Sequence, residues 1–80
     1  MMDILCIRQD FNTKNFFIDA MGSDGAIILK QIKPSLAQAL YNKTTFGFDG
    51  AFNYASYVKG RLDLGFKISK IGKTVTISRD

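Results

Sequence analysis

Asn53, Ser56, Tyr57, Lys59 and Arg61 fall within one short stretch, with Lys43, Thr44 and Thr45 before it and Lys70 and Lys73 after it. Amide, hydroxyl and cationic side chains are the groups that bond base edges and neutralise phosphates. They are poorly suited to catalysis. The chain has no His, no Glu and no Trp, so the usual general base and the commonest metal ligand are both missing. One cysteine without histidine excludes the common structural zinc sites. The acids are all aspartates, spaced far apart and mostly beside turn residues, which suits turns, helix caps and solubility. Gly22-Ser23-Asp24-Gly25 lacks the Gly-Lys-Ser/Thr that would complete a phosphate-cradling loop. The expectation is binding rather than catalysis, with no cofactor and no metal.

Charge is distributed unevenly. Residues 1–40 carry Arg8, Lys14, Lys30 and Lys33 against Asp3, Asp10, Asp19 and Asp24 and are neutral, so the net charge of +4 lies wholly in residues 41–80. A neutral half joined to a basic half suggests a packed body presenting one cationic face. Eighty residues, 46% of them hydrophobic, form a single domain with one small core. Residues 1–22 read as an N-terminal strand or arm, 23–64 as a helical part and 65–79 as a hairpin. Cys6 is alone between apolar neighbours and reads as a small buried hydrophobe in a reducing compartment. With no signal-peptide pattern and no long apolar run, a soluble, cytoplasmic protein that does not enter membranes is expected.

The elements that must position the cations follow from periodicity and punctuation. Residues 3–9 fit a strand, 12–15 a turn, and 16–21 either the partner strand of a hairpin or a short helix. Over residues 26–33, Ile28 and Leu29 both reach Ile32 at helical spacing, although strand alternation also fits; the helix is preferred. Pro34 ends that segment, and Ser35 with Gln38 matches a capping box opening a helix over 35–42. After a loop over 43–48, Asp49 is a candidate N-cap for a helix over 49–64 ending at Gly65. Its buried stripe would be Ala51, Ala55, Val58 and Leu62, leaving Asn53, Ser56, Tyr57 and Gly60 on the open side with Lys59 and Arg61 flanking them. The last segment reads as a hairpin turning at Ile71-Gly72. Phe66, Ile68, Val75 and Ile77 would share its inner face, and Lys70 and Lys73 would oppose each other at the tip.

The order helix, short helix, longer helix, glycine, hairpin resembles a winged helix-turn-helix over about residues 25–79. The stretch Arg61-Leu62-Asp63-Leu64-Gly65-Phe66-Lys67-Ile68 is similar to the third-helix exit of biotin-repressor-type DNA-binding domains. The resemblance implies an α+β fold: three helices plus a C-terminal β-hairpin, with an N-terminal strand or hairpin added. It also implies a non-enzymatic regulator of transcription or recombination that binds double-stranded DNA. The side of helix 49–64 bearing Asn53, Ser56 and Tyr57 would enter the major groove beside Lys59 and Arg61. Lys70 and Lys73 on the wing would meet phosphate or the minor groove, with Lys43, Thr44 and Thr45 as phosphate contacts. One such domain makes few base contacts, so a homodimer or paired sites would be needed for tight binding. The alternative is a protein–protein interaction module or inhibitor docking its basic, tyrosine-bearing face on an acidic protein.

Overall fold

The computed structural model describes residues 3–43 and 47–79. Strands β1 (Asp3–Asp10), β2 (Phe16–Met21) and β3 (Ile27–Ile32) form an antiparallel meander. Helix α1 (Pro34–Lys43) then leads to β4 (Gly47–Phe52), which lies parallel to β1 at one edge. Helix α2 (Tyr54–Asp63) crosses to the other edge, where β5 (Lys67–Ile71) and β6 (Thr74–Ser78) close the chain as a hairpin. The result is one six-stranded mixed sheet in the order β4-β1-β2-β3-β6-β5. Neither helix is long and apolar enough to cross a membrane.

Strand alternation supplies two faces, and one helix covers each. Phe17, Leu29, Val75 and Ile77 point to the α2 side, where Phe52, Tyr54, Tyr57, Phe66 and Ile68 join them. Ile7 and Ile32 point the other way, onto Ala37 and Leu40 of α1 and beside Phe16 and Ile18. Leu29 and Ile7, each fully buried, anchor the two clusters.

This architecture overturns the three-helix winged-helix expectation. Residues 27–32 are a central strand, hydrogen-bonded to β2 on one side and β6 on the other. Both periods fit this apolar run, and pairing on both edges decides between them. Residues 49–64 are not one helix. Gly47 and Gly50 are weak helix formers, and this segment pairs with β1 instead. A register shift between the Arg8–Asp49 and Asp10–Phe52 pairs adds one residue to β4. That bulge leaves Phe48 beside Ile7 on the α1 side and turns Phe52 into the α2-side core.

Asn53, not Asp49, caps α2: its side-chain oxygen accepts from the Ser56 amide. The helix ends as expected at Gly65, whose φ of +90° suits a residue without Cβ. The Phe66 amide donates to the Arg61 carbonyl and the Gly65 amide to Leu62, closing the last turn. Helix 35–42 is present as α1, but Pro34 occupies its first position and the Ala37 amide bonds the Lys33 carbonyl. Gln38 does not reach back to Ser35; its amide bonds Asn42.

The C-terminal hairpin keeps its expected faces with a different register. Ile68 opposes Ile77 and Lys70 opposes Val75, so the turn is Gly72-Lys73 and Lys70 does not face Lys73. The two-residue shift preserves side-chain parity, which is why the same residues still reach the core. Gly72, at φ +59°, occupies the first turn position, where Ile71 would have been strained.

Candidate functional site: a lysine-bearing end of the sheet

The residues expected to read a DNA groove are mostly occupied elsewhere. Asn53 spends its oxygen on capping α2, and Ser56 supplies the amide it caps. Tyr57 is half-buried against Phe52, with ring centroids 5.3 Å apart. The Arg61 guanidinium lies over the rings of Tyr57 at 5.0 Å and Phe66 at 5.2 Å. Tyr57 and Arg61 thus lie on the side that α2 turns toward the sheet. Ala55 and Leu62, expected inside, are exposed. The helix is displaced along the chain relative to the expected one, so its inward stripe starts from Tyr54 rather than Ala51. Gly60 is exposed with nothing near its missing Cβ. Lys59 pairs with Asp63 at 3.2 Å on the outer surface. Lys43 lies exposed in the last turn of α1, at the negative end of that helix. Thr44 and Thr45 lie outside the described residues.

Lys70 and Lys73 are brought together with something else. The ends of β1, β3, β4 and β5 and the starts of β2 and β6 converge at one end of the sheet, and both helices begin there. The Gln31 amide donates to the Lys73 carbonyl at 3.0 Å, tying the hairpin turn to β3. Two clefts open at this end, of about 340 and 470 Å³, and share Asn15, Gln31 and Lys73. Lys70 lines the first, and Lys14, Lys30 and Lys33 line the second. All five lysines are exposed, and none is in an ion pair among the described residues.

Among the described residues the only acid lining either cleft is Asp10, and it faces inward. It is 4% exposed. One carboxylate oxygen accepts from the Tyr54 amide, and the other from the amide and hydroxyl of Thr13, each at 2.8 Å. These donors, the Tyr54 amide foremost, hold its pKa below the ordinary carboxylate value. Asp10 joins the β1–β2 turn to the start of α2, and its acceptor capacity is used within the chain.

Lys14, Lys30 and Lys33 belong to the half of the sequence that sums to neutral, which is why charge counting passed over them. The neutrality is arithmetic rather than spatial. Asp10 caps, Asp19 pairs with Arg8, and Asp24 accepts from the Ala26 amide in the β2–β3 turn. The usable signal was the placement of Asp10 and Asp24 beside turn residues, which marks acids that bond backbone and leave nearby lysines unpaired.

The remaining charged cluster sits mid-sheet under α2. Arg8 donates from Nε to Asp19 and from Nη1 to Asp49, both at 2.8 Å. Its guanidinium also lies 5.2 Å from the centre of the Phe52 ring. Asp19 is 4% exposed, and its second oxygen has no partner among the described residues. Burial pushes the neighbouring Cys6 thiol above its usual pKa and keeps it protonated. Among the described residues no three His, Cys, Asp or Glu side chains gather where they could hold a metal.

Compared with known proteins, the chain matches no family model, no curated protein and no solved structure.

Proposed function

We propose that the protein is a non-enzymatic, cytoplasmic DNA-binding protein whose contact surface is the lysine-bearing end of the sheet. One observation carries this reading: Lys14, Lys30, Lys33, Lys70 and Lys73 line two adjoining clefts at one end of the sheet, and the only acid among the described residues there is already engaged. Unpaired ammonium groups at one end of the sheet repel one another, and a polyphosphate relieves that repulsion while releasing its own counterions. The contact is mainly to phosphates, so affinity varies little with sequence. Any part in transcription or recombination would come from occupying DNA, not from altering it. The acidic-protein alternative loses its tyrosine anchor, because Tyr57 packs against Phe52.

The test is fluorescence anisotropy with a short blunt duplex across a salt series. Binding should weaken steeply with salt, with a log–log slope of about −4 for four or five neutralised phosphates. Exchanging Lys14, Lys30, Lys33 and Lys73 together for Gln should nearly abolish it, whereas Lys43→Gln with Lys59→Gln should change it little. Equal loss from both sets, or no binding at low salt, overturns the proposal. Salt-sensitive capture of an acidic protein without duplex binding would favour the protein-docking reading.

A further inference from the structure

The smaller cleft carries more than positive charge. Its rim holds the side-chain amides of Asn12, Asn15 and Gln31, none of which makes a hydrogen bond among the described residues. Its floor is apolar, formed by buried Phe17 and Val75. Beside them the Tyr54 ring stacks on Phe17, with centroids 5.0 Å apart and planes 6° from parallel. Lys70 and Lys73 stand on the hairpin side. The positive charge comes from these lysines rather than from the start of α2, where Asp10 and Asn53 already take the Tyr54 and Ser56 amides.

We propose that this cleft binds a single nucleotide unit, its base edge on the amides of Asn15 and Gln31 and its phosphate on Lys70 and Lys73. A carboxamide donates and accepts side by side, and so does a base edge; a backbone phosphodiester offers no donor to such an acceptor. A purely electrostatic site would have no use for the apolar floor, whereas a base has an apolar face to bury on it. The volume of about 340 Å³ lies at the small end of ligand pockets, suited to one nucleotide rather than a longer segment. Asp10 adds one negative charge against the two lysines, and its bonded oxygens are turned to Thr13 and Tyr54. The inference deepens the DNA-binding reading and shares only Lys70 and Lys73 with it. The nucleotide could be free or the unpaired end of a strand; the recognition chemistry is the same.

The experiment is ¹H–¹⁵N NMR titration of the full chain with AMP, GMP, CMP and TMP, with inorganic phosphate, and with two duplexes, one blunt and one with a 5′-phosphorylated overhang. Saturable shifts of the Asn15 and Gln31 side-chain amides are expected with at least one mononucleotide or with the overhang duplex. Response to the mononucleotides alone would assign the site to a free nucleotide, and response to the overhang alone to a strand end. Asn15→Ala with Gln31→Ala should weaken that binding about tenfold, the loss of one or two hydrogen bonds, and leave the blunt duplex unaffected. Both positions use their backbone groups in the fold, Asn15 through its carbonyl to Asp10 and Gln31 through its amide to Lys73, so the double variant keeps its structure. Equal shifts from phosphate and every nucleotide, or no shift of these amides with any probe, would overturn the inference. Blunt-duplex binding without amide shifts would leave the DNA reading standing alone. Amide shifts without duplex binding would do the reverse.

Discussion

Arg8 and Lys73 carry the same charge in opposite circumstances. Arg8 sits under α2 between two carboxylates and against Phe52, its donors used within the fold. Lys73 stands exposed on a turn, beside other lysines and without a carboxylate partner among the described residues. The first arrangement stabilises the chain at the cost of burying Asp19. The second contributes little to stability and leaves charge for a partner. A cation enclosed with its counter-charge serves architecture, whereas cations gathered without one are available for the binding proposed above.

The largest effect should come from removing the enclosed cation. Arg8→Ala leaves Asp19 buried without its counter-charge and should cost about 3–5 kcal/mol, read by urea unfolding. A loss no larger than that of a surface lysine would dissolve the contrast.

Asp10→Asn should come next, at about 1–3 kcal/mol, because an amide cannot accept all three bonds that the carboxylate receives. The pH dependence has a definite sign. The folded pKa of Asp10 lies below its unfolded value, so its contribution is complete above the ordinary carboxylate range and is lost as pH falls through the folded value. The stability gap between wild type and Asp10→Asn should therefore narrow below about pH 4. A gap that widens on acidification would contradict the hydrogen-bonding picture.

Gly72→Ala, at φ +59°, should destabilise by about 1 kcal/mol in the same unfolding assay. It should also weaken duplex binding, because the turn positions Lys73. The smallest stability effect, within about 0.5 kcal/mol, is expected for Lys30→Gln with Lys33→Gln. The same pair should lower the salt slope of duplex binding by about 2. Stability and binding should thus respond to different cations.

Much of the chain's local grammar was legible. The helix after Pro34, the glycine that closes α2, the two faces of the last hairpin and the turn bonds of Asp10 to Thr13 and of Asp24 to Ala26 all depend on neighbours in sequence. The hairpin register was missed by two residues because parity alone cannot distinguish registers that preserve it; Gly72 in the first turn position decides. Residues 27–32 were missed because an apolar run with both periods takes its state from its neighbours, β2 and β6. The proposed site was half legible: Lys70 and Lys73 line its clefts, while Lys43, Lys59 and Arg61 do not, and Lys14, Lys30 and Lys33 were hidden by a cancelling sum.

The sequence by itself determined a small, basic, histidine-free domain, the parity of its last two strands and the point at which α2 stops. These are short-range consequences of backbone sterics, side-chain period and composition. Only the tertiary structure decided that β4 pairs with β1, so that Arg8 meets Asp49 across 41 positions of chain and Phe52 turns into the core. It also decided which lysines lost their acids. Strand pairing and charge pairing are long-range choices made by the free energy of the whole sheet, and no window of sequence contains both partners.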